Sequence, residues 1–175
     1  MSIFLPETVN SLGKTSVVMV SAIANQSSPS LASEINATTS VNVSCFLYGA
    51  AAGSVTTAKG EAPKKLCTVN QFQERGIATV EVGDLSYSHH PQRALTDAAN
   101  KAKASLLDGS RWYMVVRSGK AGDTALISAD RVDIWYVELL NQNRGVTGEG
   151  DFDQFAILQS VIAKANPVYD VVVAA

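Results

Sequence analysis

Residues 130–140 read DRVDIWYVELL. Val132, Ile134 and Tyr136 alternate with Arg131, Asp133 and Trp135. Successive side chains of a strand point to opposite faces, so this stretch predicts a strand with one apolar face. The second face is mixed, with Arg131 and Asp133 followed by Trp135, Val137 and Leu139. Its apolar end needs a cover. Two covers fit: a helix laid on one face of the sheet, as in an ordinary two-layer fold, or a neighbouring copy of the chain.

Outward from this strand the pattern stays mostly β. Residues 15–21 (TSVVMVS) are β-branched and charge-free and read as a buried strand. Residues 41–48 (VNVSCFLY), 77–85 (IATVEVGDL) and 111–117 (RWYMVVR) read as further strands, and 67–72 as a short one. In 77–85, Ile77, Thr79, Glu81 and Gly83 share one face, and Ala78, Val80 and Val82 share the other. Ser30 suits the cap of one short helical turn ending at Asn36. One clear helix is expected, because Leu95, Ala98, Ala99, Ala102 and Leu106 recur at helical spacing. Thr96 suits its N-cap, Asp97 its positive end and Gly109 its stop.

Four segments lack a clear period. Residues 1–14 read as an N-terminal arm with Ile3, Phe4 and Leu5 ahead of Pro6. Residues 49–66 read as a long loop with three glycines and a proline, and 141–151 as a flexible loop. Residues 166–175 read as a C-terminal arm. Between the last two, residues 152–165 form one long β-like run, well beyond the usual strand of about five or six residues. Such a run is bent, or it reaches past its own domain. From Ala165 onward Asp170 is the only charged residue. An uncharged β-prone end is a pairing hazard in a monomer and an asset in a self-assembling protein.

The 175 residues suit a single domain, 46% of them hydrophobic and 17% charged. The usual charged share is about 25%, so part of this surface is expected to lie against other chains. The net charge of −2 gives no basic field for nucleic acid. No apolar run of about 18 residues is present, and no membrane insertion is expected. The opening MSIFLPETVN carries no basic n-region, so no secretory signal is expected. Cys45 and Cys67 then read as reduced, small and buried.

No catalytic constellation emerges. Gly13, Lys14 and Thr15 mimic the end of a phosphate loop, but Thr8 stands where the first glycine belongs and a strand follows instead of a helix. His89 and His90 are neighbours ahead of Pro91 and read as a polar turn; their spacing to the cysteines fits no zinc motif. Neither enzyme activity, metal nor cofactor is expected. Lys59, Lys64 and Lys65 make one end of the long loop basic, for contacts with nucleic acid or an acidic partner, or, as three lysines beside Glu61 more often do, simply for solvent.

A series of segments resembles one family. They are FLPETVNSLGKTSVVMV, SLASEINATTSVNVSCFLYG, KKLCT, VEVGDLSYSHHPQ, RALTDAANKAKASLLDGSRWYMVVR, DRVDIWYVEL and DFDQFAILQSVIAKANPVYD. In this order they resemble the tail tube proteins (major tail proteins) of long-tailed phages with non-contractile tails, nearest to those of phages infecting actinobacteria. The resemblance implies a β-sandwich or partly closed barrel with one flanking helix. It also implies six copies per ring, rings stacked into a tube around a tape-measure protein, tail tip and terminator proteins at the ends, and double-stranded DNA in transit. Such a protein is made in the host cytoplasm and ends in the virion. A conduit should not hold its DNA, because lysine and arginine bind phosphate by releasing counterions. Glu81 or Asp133 is therefore expected to face the lumen. Phe4, Leu5, Trp135, Val137, Tyr169, Val171 and Val173 are expected at subunit contacts. Two other classes remain open from the residues alone: a terminator or connector ring that does not stack, and a monomeric ligand-binding β-barrel.

Overall fold

The computed structural model describes residues 10–11, 13–49, 53–63, 67, 73–148 and 154–175. Among the described residues nine strands follow one another: β1 (Thr15–Val20), β2 (Val41–Asn42), β3 (Gly53–Glu61), β4 (Gln73–Val82), β5 (Leu85–Ser88), β6 (Arg111–Ser118), β7 (Arg131–Thr147), β8 (Gln154–Ala163) and β9 (Val168–Val172). An α-helix, α1 (Lys101–Ser105), is entered through a tight turn at Ala98–Asn100. The fold is mainly β, a curled half-barrel sheet with one short helix, as the sequence predicts.

The main sheet runs β2-β1-β6-β7-β8-β5, with β9 added to β7, and β3 and β4 form a separate ribbon. Its centre is β7, 17 residues long. On one edge β7 pairs with β6, from Val116↔Asp133 to Arg111↔Glu138. On the other it pairs first with β9 and then with β8, from Val137↔Ala163 to Thr147↔Gln154. The β7–β8 register shifts between Leu139 and Gln142. A bulge bends its strand and adds twist, which lets the sheet curl at this point.

Both faces of the sheet centre are covered, which explains the continuous apolar run of β1. Trp135, Val137 and Leu139 gather with Met19, Met114, Leu85, Tyr87 and Ile157, with Ala102 of α1 and with Leu106 at its C-terminal cap. Strands far apart in the sheet meet in this cluster, so it lies inside the curl. On the other face Val132 and Ile134 join Val18, Val20, Val115, Ile35, Val171 and Val173. The helix is held by its end. The Gln142 amide donates to the carbonyls of Lys103 and Leu106 at 3.0 and 2.6 Å, and the Gln159 amide to that of Leu106 at 3.1 Å. These bonds satisfy carbonyls that a helix leaves open at its C-terminus.

Several expectations change. The helix begins at Ala98, and its cap is Asp97, whose carboxylate accepts the Ala99 N–H at 2.8 Å, so Thr96 and Leu95 lie outside it. Residues 49–66 are not simply a loop, since Gly53–Glu61 is β3. Its outer part buries neither face, so no alternation marks it in the sequence. Residues 141–147 continue β7 instead of forming a loop. Within 166–175, β9 is a paired strand, not a free arm. After Asn42 the strand expected over 41–48 stops, because Asn42 accepts the Ser44 N–H at 3.0 Å and closes a turn. Cys45 and Cys67 are exposed, not buried. Ser30 caps its helical turn as expected.

The segment between β6 and β7 is organised by a buried ion pair. Arg117 Nη1 donates to Asp130 Oδ2 at 2.9 Å, with the two side chains 2% and 1% exposed. Its guanidinium also donates to the carbonyls of Ala121, Thr124 and Ala125. Asp130 accepts further from Lys120 and from the Ile127 N–H. Burial pushes the Asp130 carboxyl up, but these hydrogen bonds outweigh it and hold the pKa down at about 2. Asp130→Ala, which strands Arg117, is expected to cost about 3–5 kcal/mol in urea denaturation. In the parent, the Asp130 contribution is complete above the ordinary carboxylate pKa of 3.8 and is lost as pH falls towards about 2.

Candidate assembly surface

The ribbon starts on the core and leaves it. In register, Gly53 faces Val82, Val55 faces Val80 and Thr57 faces Ala78. Val80 and Val82 pack against the inner cluster. Gly53 lies on the indole of Trp135, where an added Cβ would stand 2.5 Å from ring carbons. Tyr169 meets the same indole edge-on, with ring centroids 5.6 Å apart. The apolar end of the second β7 face is therefore covered within the chain, by the ribbon base and β9 around Trp135 and by α1 in the cluster beyond.

Past this base the ribbon is bare. Ser54, Thr56, Thr79 and Glu81 occupy the face turned from the core, all exposed. A bulge after Thr57 brings Lys59 opposite Arg75, with Gln73 and Glu61 next on that face. Like charges directly opposite oppose pairing. Ile77, beside the bulge, is 83% exposed, the barest large apolar side chain among the described residues. A two-stranded ribbon alone is marginal in water.

The β7–β8 hairpin repeats the theme. Its outer end carries the cross-strand pair Val146↔Phe155, 55% and 61% exposed. The β6 ladder ends at Glu138, and Ser110 and Gly109 bond Leu139. From Leu140 to Thr147 no described strand occupies that edge of β7. Unpaired backbone on a strand edge is a template for another chain.

The residues singled out in the sequence separate accordingly. Glu81 stands exposed on the ribbon. Asp133 is half-buried and accepts the N–H of Asp170 at 2.8 Å. This holds Asp170 at φ +56°, a conformation strained for a non-glycine residue. Trp135, Val137, Val171 and Val173, expected at subunit contacts, are buried in the protomer's own core. Their apolar partners come from β9 and the ribbon base, neither of which the sequence placed beside β7. Tyr169 is half exposed. Lys59 is exposed on the ribbon, while Phe4, Leu5, Lys64 and Lys65 lie outside the described residues. Ile77, Val146 and Phe155 were missed as surface groups. Alternation makes an apolar strand residue look buried unless the opposing layer is known.

Nothing in this surface gathers reactive groups. No cluster of three metal-ligating side chains occurs among the described residues. A cleft of about 430 Å³ beside β1 is lined by Ser11, Gly13, Thr15, Val17, Ser44, Leu47, Tyr48 and Gly49, without a charged side chain. No described helix is long and apolar enough to cross a membrane. Among the described residues, the β3–β4 ribbon and the β7 edge from Leu140 to Thr147 are strand edges without a further strand partner.

The chain matches the family described as phage tail tube protein over residues 4–175, and it belongs to that family. It is thus a structural component of the virion, of a kind that self-assembles into a tube. Among curated proteins, none matches the chain. Gly53→Val should force the ribbon off Trp135, with a loss of about 1–3 kcal/mol in thermal or urea unfolding, and should raise the solvent exposure of the indole in fluorescence quenching.

Proposed function

We propose that copies of this chain close into six-membered rings that stack as the tail tube of a long, non-contractile phage tail, of the kind infecting actinobacteria, and that double-stranded DNA passes down the bore. The unfinished edges carry this reading. The β3–β4 ribbon and the outer β7–β8 hairpin expose backbone and apolar side chains that a neighbouring copy can complete by strand addition. A head-to-tail contact of this type closes into a ring when its rotation allows. The polar ribbon face with Glu81 suits a bore that must not retain phosphate. Asp133 is already engaged with β9, so Glu81 is the better lumen residue. Tyr169, with Phe4 and Leu5 of the N-terminal segment, supplies further subunit contacts. Lys59, Lys64 and Lys65 contact an acidic surface of an adjoining copy. A tape-measure protein sets the length, tip and terminator proteins close the ends, and synthesis takes place in the host cytoplasm.

Electron microscopy of the concentrated chain, with and without tail-tip complexes, tests this. Hollow tubes of stacked rings with six-fold end views are expected. Unstacked rings point to a terminator, and a monomer that persists with tip complexes present overturns the proposal. Ile77→Asp and Phe155→Asp should leave the unfolding free energy within about 0.5 kcal/mol of the parent, as exposed substitutions do, yet abolish tubes. Glu81→Lys tubes should form and retain DNA at low salt, releasing it as salt rises; tubes that ignore DNA at all salt concentrations would remove Glu81 from the bore.

A further inference from the structure

His89 follows β5 and is 7% exposed. Its backbone N–H donates to the Phe155 carbonyl at 3.2 Å, which ties it to β8. Its Nδ1 lies 3.2 Å from Oδ1 of Asn100. Asn100 is itself buried, and its Nδ2 serves the carbonyls of His90, Arg93 and Ala94 at 3.2, 3.2 and 3.1 Å. Its Oδ1 also accepts the His90 N–H at 3.0 Å. With the amide nitrogen so committed, the atom facing His89 is an oxygen, which cannot donate. The proton of the neutral ring therefore sits on Nδ1, and Nε2 is left as a bare acceptor. That Nε2 is buried and has no partner.

A second proton would go to Nε2, where no acceptor waits. The added charge would meet Lys103 on α1, Arg144 on β7 and the adjoining His90. Asp97, the one carboxylate of residues 89–105, is occupied with the Ala99 N–H and with Arg93. We propose that the buried His89 ring is an acid-sensitive latch: neutral and bonded to Asn100, it pins residues 89–100 and α1 to the sheet, and protonation at the unpartnered Nε2, which puts an unpaired charge in the buried site, releases them. Release withdraws Ala102 and Leu106 from the inner cluster. The latch belongs to the single protomer and does not depend on the tube.

Burial lowers the His89 pKa below its ordinary 6.5; the Asn100 hydrogen bond opposes the shift, and the Lys103 and Arg144 cations add to it. The open segment then binds a proton that the closed one refuses. Closure is complete above pH 6.5 and weakens as pH falls from there to the closed-state pKa. NMR and amide exchange on the full chain test the latch. The ring should show the Nδ1–H tautomer at neutral pH and titrate below 6.5. Protection of residues 98–106 should fall roughly tenfold per pH unit in that window and stay below that of β6. His90→Gln should keep this profile, and His89→Gln should lose it. A ring titrating at or above 6.5, or equal protection of α1 and β6 throughout, overturns the proposal. If His89→Gln does not fold, the titration of the parent ring decides alone.

Discussion

The structure depends on β7 being apolar on both faces and paired on both edges. Trp135, Val137 and Leu139 face one core, while Val132 and Ile134 face the other. Burying a large aliphatic or aromatic side chain contributes about 1.5–3 kcal/mol, and β7 does so repeatedly on each side. The strand can be buried this way only if other elements reach both of its faces. The helix, the ribbon base and the far strands supply one layer, and the Leu31–Ile35 turn with Ile23 and Leu126 supplies the other.

The second half of β7 follows different physics. Beyond Leu139 it loses β6, bulges and runs out with β8 as a hairpin. The β3–β4 ribbon leaves the body in the same manner from the Gly53–Trp135 contact. The molecule thus has a finished half and an unfinished half. The finished half stabilises the protomer through its two cores. The other half leaves strand edges and apolar side chains without a partner among the described residues.

Polar groups settle the joints between these parts. Arg117 and Asp130 organise the segment that enters β7, where the guanidinium donates to the carbonyls of three residues. Gln142 and Gln159 hold the end of α1. Asn100 gathers residues 89–94 beneath the helix start. Each is a buried group serving several partners, so each specifies one arrangement of an otherwise mobile connection.

Much of the fold was legible in residue order. Alternation in DRVDIWYVELL, the charge-free run of β1 and the alanine stripe of α1 each reflect local periodicity, which a chain carries in its sequence. The Ser30 cap was legible for the same reason. The ribbon was not, because β3 buries almost nothing and no pattern marks a strand exposed on both sides. Nor was the burial of Trp135, Val137, Val171 and Val173 inside one protomer, because it rests on pairings between residues far apart in the chain. By itself the sequence determined a mainly β chain with its central strand and its helix. Only the tertiary structure decided which apolar faces are satisfied within the chain and which stay exposed on it, since that depends on which layers meet in space.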